Sequence, residues 1–211
     1  MRLFVPWPRS CGDARSVPTA KRLEAQSVFV SYDIFRHRHN FSVWAAARAT
    51  QRRFTTVDRL RDALQGSGIV EFVRDHALSD INADTFLTHH GKWCDRIVEL
   101  LKGAGVQRVT FGRAAKLVAV YIKSMVVVGP HAQTNLARVA HPPIDRILLK
   151  NLSRLETLPR DTRKVLRVTN WTDLDRDCYY ALSRLLQGSV PNLDPFWHLE
   201  EYWTVTQDAD D

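Results

Sequence analysis

Asp145 stands just after the Pro142–Pro143 pair and just ahead of the apolar run Ile147–Leu149. Proline fixes φ, so the chain approaches this aspartate stiffly. A helix starting there favours an ionised carboxylate through its dipole. A rigid anion can stabilise a cationic transition state or activate water. Cleavage of a bond to a sugar C1′ needs this, because the sugar becomes oxocarbenium-like. By itself Asp145 also reads as an ordinary capping aspartate. Lys116 lies upstream in GRAAKLVAVYIKSMVVV (112–128), the most apolar stretch of the chain. Packed apolar walls lower a lysine pKa and make the amine a nucleophile toward C1′. Lys123 lies seven residues on and shares a helix face with it; both also read as surface lysines with extended stems.

Before that helix comes VTFGRAAK. A helix start carries free N–H groups and favours an anion. Thr110 and Gly112 form the turn, Gly112 lets a phosphate approach the backbone, and Arg108 and Arg113 add charge. The alternatives are a phosphate clamp and a plain helix start. Near the N-terminus, Trp44, with Asn40 and Phe41, offers a stacking surface for an extruded base; core packing is the other role open to it. Arg36 to His39 form a basic knot that meets phosphates or solvent. The pairs His37/His39 and His89/His90 lack a carboxylate or Cys at a helpful spacing, so no metal is expected.

Helices must position these groups. The pattern predicts an Ala-rich helix over 41–53, then 55–65 with a Thr55-to-Asp58 capping spacing and a stop at Gly66. A loose region with short helical pieces spans 69–90. Further helices are expected over 93–103, 112–128, 144–155 and 172–188, with a short aromatic helix over 194–203. Arg160, Arg163, Lys164 and Arg167 make a basic connector that could track a DNA backbone. Residues 1–25, with Pro6, Pro8 and Pro18, read as a loose arm, and Ser27–Tyr32 as a small strand element. The expected architecture is mostly α, in two lobes, with residues 26–211 as a single domain.

The chain has 211 residues and a formal net charge of +7. Twenty-three of its 30 cations are arginine, whose planar fork matches phosphate oxygens. A pI near 9.6 fits a nucleic-acid partner; codon bias toward arginine is the competing explanation. No apolar run is long enough for a membrane span, and the N-terminus does not read as a signal peptide, so a cytoplasmic protein with no membrane partner is expected. Three scattered cysteines exclude a disulfide framework and a four-Cys cluster.

From Gly91 to Trp203 the order of parts resembles the helix-hairpin-helix–Gly/Pro–Asp superfamily of DNA glycosylases. FGRAAK, then Gly129–Pro130, then HPPID stand where that family places its hairpin, its helix with an optional catalytic lysine, its Gly/Pro loop and its essential aspartate. VTFGRAAK replaces the usual LPGVG hairpin. AAKLVAVYIK looks like the archaeal 8-oxoguanine glycosylase branch. HLEEYW (198–203) is similar to that branch's terminal helix, whose acid and tryptophan contact the extruded base. AHPPIDRILL and PFWHLEEYW look closer to bacterial anti-phage glycosylases acting on glucosylated hydroxymethylcytosine. The resemblance implies a two-lobed helical glycosylase fold with its hairpin and catalytic region over about 91–155. It implies Asp145 and Lys116 as catalytic residues. Arg108, Thr110, Gly112 and Arg113 would bind DNA, and Trp44, Lys123, Glu200 and Trp203 would line the base pocket. The expected partner is double-stranded DNA with a modified base, bound by a monomer without cofactor. The alternatives are an 8-oxoguanine repair glycosylase with lyase activity and a non-enzymatic DNA-binding module.

Overall fold

The computed structural model describes residues 32–51, 54–76 and 80–204. The expected arm over 1–25, and the expected strand element except Tyr32, lie outside these residues. Among the described residues the chain is helical, with no strand. The α-helices are α1 (Ile34–Gln51), α2 (Val57–Gln65), α3 (Ile69–His76), α4 (Ala83–Gly103), α5 (Phe111–Ile122), α6 (Asn135–Val139), α7 (Arg146–Leu152), α8 (Arg160–Val168) and α9 (Arg176–Ser189). A π-helical turn, Lys123–Val127, extends α5, and 3₁₀ turns form at Trp171–Asp173 and Phe196–Tyr202. None of these helices is long and apolar enough to cross a membrane.

Local caps set most helix starts. Thr56, Asn82, Thr110, Thr134, Asp145 and Asp175 each present a side-chain oxygen to a first-turn N–H. Each satisfies a donor that the helix leaves unpaired. Several expected boundaries move for this reason. Thr56, not Thr55, caps α2, accepting from the Arg59 amide at 3.3 Å. The helix expected from 172 starts instead after Asp175, which accepts from the Cys178 amide at 2.8 Å. The helix expected from 41 starts at Ile34, because the Asp33 carboxylate takes the Phe35 and Arg36 amides. Within the stretch expected to be loose, Ile69–His76 form α3 and Ala83–His90 the first turns of α4, more regular than expected. The short aromatic helix expected over 194–203 is a 3₁₀ turn over Phe196–Tyr202.

α5 is the central element. Ten of its twelve residues are buried, and it packs against α1, α4, α9 and the Trp171–Asp173 turn. Ala46 and Ala47 of α1 are fully buried, as are Cys94 and Ile97 of α4. Small residues on α1 allow the helices to approach closely. Each fully buried Leu or Ile side chain of this core contributes roughly 1.5–3 kcal/mol. The buried Tyr121 hydroxyl is paired with His39 Nδ1 at 3.0 Å. Packing around α5 therefore fixes the register of Lys116, and α7 must bring Asp145 to it.

Candidate active site

Asp145 is the N-cap of α7, and its Oδ1 accepts the amides of Ile147 at 2.9 Å and Leu148 at 3.0 Å. Pro142, Pro143 and Ile144 leading into it are buried, so the approach is held by packing as well as by the rings. Its other oxygen, Oδ2, accepts from Lys116 Nζ at 2.9 Å and from Trp203 Nε1 at 3.1 Å. Both charged side chains are nearly inaccessible, at 5% and 6% exposure. Burial pushes the Asp145 carboxyl up, but the Lys116 charge, the Leu148 amide and Trp203 outweigh it, so its pKa lies below the ordinary value. The group is therefore an anion at neutral pH.

Lys116 also sits 4.6 Å from the centre of the Trp171 ring, a distance at which an ammonium is attracted to the π face. The apolar walls expected around Lys116 are present. A counter-charge is present too: the Asp145 carboxylate accepts a hydrogen bond from Nζ, and the Trp171 ring lies beside the same group.

A second pair lies beside the first. Lys123, at the start of the π turn, forms an ion pair with Glu200 and lies 5.6 Å from the Trp203 ring centre. Burial raises the Glu200 carboxyl; the bond from Lys123 and its charge oppose this, and the negative Asp145 adds to the rise. The net result is a pKa above the ordinary carboxylate value. Asn151 of α7 donates to the Tyr202 carbonyl at 2.9 Å and the Thr204 hydroxyl at 3.1 Å, tying the C-terminal turn to α7. Two carboxylates thus share one site with pKa values pushed in opposite directions, a pattern that separates acid from base roles.

Five expected site residues, Asp145, Lys116, Lys123, Glu200 and Trp203, come together here. Trp44 does not. It lies exposed on α1, in ring contact with Phe41 at 5.9 Å, and lines a separate depression of about 350 Å³ with His39, Val57 and Arg61. Its exposure overturns the core-packing alternative.

The expected phosphate clamp is also not built as drawn. The Gly112 amide already donates to the Leu174 carbonyl at 2.9 Å. The Thr110 hydroxyl accepts from the Arg113 amide and donates to the Thr172 carbonyl at 2.6 Å. Gly112 is a glycine because a Cβ there would run into the Trp171 carbonyl oxygen. The N-terminus of α5 is thus docked on the Trp171–Leu174 segment. Arg113 is half-buried, its guanidinium 4.4 Å from the Phe54 ring centre. Arg108 alone of the four stands in solvent, at a left-handed φ of 56°.

Sequence reasoning did not single out Trp171 or Asn151. Trp171 lies outside any helix period, ahead of a helix start, and nothing local marks it as the floor under Lys116. The paired histidines resolve differently too: His90 is fully buried with Nδ1 on the Tyr180 hydroxyl at 2.9 Å. Among the described residues no group of three or more His, Cys, Asp or Glu could hold a metal ion. No family model, curated protein or solved structure matches the chain.

Proposed function

We propose that the chain is a DNA glycosylase that excises a modified base by cleaving its N-glycosidic bond. The observation that carries this reading is the ionised, rigidly held Asp145 with the raised-pKa Glu200 beside it. In the reaction, Asp145 Oδ2 faces the sugar and stabilises positive charge developing at C1′ and the ring oxygen. Water adds to C1′, giving its proton to the Asp145 carboxylate, and the base leaves with the bonding electrons. Glu200 and Lys123 supply hydrogen bonds, and the proton the departing base takes up, from the other side. Trp203 offers a ring to stack on the extruded base.

Oδ2 has both of its partners in place, so the substrate must displace Trp203 to reach it. Lys116 enters as the ammonium that holds Asp145, which favours simple hydrolysis over Schiff-base strand cleavage. This reading carries with it a two-lobed helical fold in which the α4–α5 connection would serve as the hairpin, and a duplex with a modified base as substrate. Glucosylated hydroxymethylcytosine is the base class we favour, and 8-oxoguanine is the alternative.

The enclosure of the Lys116–Asp145 pair favours a second reading, a non-enzymatic DNA-binding module in which the pair is structural. Incubation with DNAs carrying different modified bases, followed by mass spectrometry of the released bases, separates the two. Free base with abasic sites cut only by added alkali supports the hydrolase. Release of no base from any of these DNAs, with duplex binding intact, supports the module. A borohydride-trapped adduct that disappears in Lys116→Gln would replace hydrolysis by the lyase route.

A further inference from the structure

We infer that the exposed face of α8, together with Arg146, is the surface that docks the phosphates of a DNA strand. The inference rests on the nucleic-acid partner proposed above and names the surface that holds it. Arg160, Arg163, Lys164 and Arg167 fall at helical spacings that put them along one side of α8. With Asp161 they line an open depression of about 590 Å³. Arg146, the residue after Asp145, reaches this side: its guanidinium donates to the Arg167 carbonyl at 2.9 Å. The basic side therefore runs from the candidate active site along α8.

The charges on it are uncompensated. None of the five cations joins an ion pair among the described residues, whereas Arg61, Arg96, Arg138 and Arg176 elsewhere each have an acidic partner. The Arg163 Nε is buried without an acceptor. Asp161 is the single acid among them, placed in the first turn where the helix dipole favours it. Like charges three and four residues apart repel along a helix, so the stripe works against α8 in the absence of an anion.

Four of the five cations are arginine, whose forks suit phosphate oxygens. The N-terminus of α5 is occupied by Trp171–Leu174, which leaves the phosphate-binding task to another element. From Arg160 to Arg167 the helix rises roughly 10 Å, the axial length of about three phosphates on one strand.

The test is duplex binding by fluorescence anisotropy across a salt series. The wild-type chain is compared with an Arg160→Gln/Arg163→Gln/Lys164→Gln/Arg167→Gln variant. A control with equal charge loss carries Arg48→Gln, Arg59→Gln, Lys92→Gln and Lys102→Gln, exposed positions on α1, α2 and α4. Glutamine keeps helix propensity and removes repulsion, so the α8 variant should melt at or above the wild-type temperature. The expected result is at least tenfold weaker binding and a log–log salt slope shallower by about two to three. The control should keep the wild-type slope. An unchanged slope in the α8 variant, with wild-type binding intact, overturns the surface and leaves the glycosylase reading standing. Wild type that fails to bind duplex at low salt overturns both. Wild type that binds vesicles of mixed phosphatidylcholine and phosphatidylserine through α8, but not duplex, overturns the inference in favour of a lipid surface.

Discussion

Lys116 and Asp145 illustrate how a buried ion pair constrains mutational tests. Each charge is tolerated in the core because the other lies 2.9 Å away. Breaking a buried pair by removing one partner costs about 3–5 kcal/mol, since the remaining charge is uncompensated. Asp145→Ala should therefore destabilise the chain by about that amount, and Lys116→Met by a similar amount. Loss of activity in Asp145→Ala alone would confuse unfolding with chemistry. Combining Lys116→Met with Asp145→Asn removes both charges and retains a good cap. The double variant should recover most of the lost stability in urea titrations while remaining inactive. Strict additivity of the separate Lys116→Met and Asp145→Asn losses in that double variant would show that the groups do not act as a pair.

Gly112 shows how much of an element's position comes from a distant partner. Its amide and its missing Cβ both serve contact with the Trp171–Leu174 segment. Gly112→Ala should cost roughly 2–4 kcal/mol, because the obstacle is a backbone carbonyl that cannot swing aside. Gly91→Ala should lie within about 1 kcal/mol of wild type: its new methyl meets the end of the Arg176 side chain, and alanine favours the middle of α4. Thermal melts of the two variants check this contrast. Most of the longer helices were legible in the sequence, since apolar periodicity and caps are local properties. Of the five grouped site residues, Lys116, Lys123 and Asp145 were legible through the spacing of the lysines and the lead-in to the aspartate, whereas Glu200 and Trp203 were reached only through the family resemblance of HLEEYW. The role of Gly112 was not, because the carbonyl it avoids belongs to a residue far along the chain. Thr172 and Thr55 looked as good as caps as Asp175 and Thr56, and only the packed backbone chooses between neighbours. α8 read as a connector because four cations hide the single stripe of Thr162 and Leu166 that it buries.

At the scale of the whole molecule, two buried histidines govern the response to acid. Burial holds His141 at about 4, against 6.5 for the free side chain. Burial pushes His90 well below 6.5, with the charges of His141 and Arg176 adding to it. Both remain neutral in the fold at pH values where the unfolded chain takes up protons. Their contribution is complete above pH 6.5 and is lost as pH falls toward 4. For His141 alone this amounts to roughly 3 kcal/mol. Asp145 acts in the same direction at lower pH, where its depressed carboxyl protonates. Melting temperatures should therefore drop between pH 6.5 and 4, and less steeply in a His90→Gln/His141→Gln chain; a flat wild-type profile would contradict the burial of neutral imidazoles. In the proposed reaction Asp145 is the anion that meets the sugar. The most direct measurement is the single-turnover rate of base release by wild type and by Asp145→Asn, on a DNA from which wild type releases free base. Circular dichroism and duplex binding confirm that both chains are folded. The prediction is a loss of at least about a thousandfold in Asp145→Asn, with duplex affinity within a few-fold of wild type, as expected for removal of transition-state charge stabilisation. Base release by Asp145→Asn at the wild-type rate would contradict it.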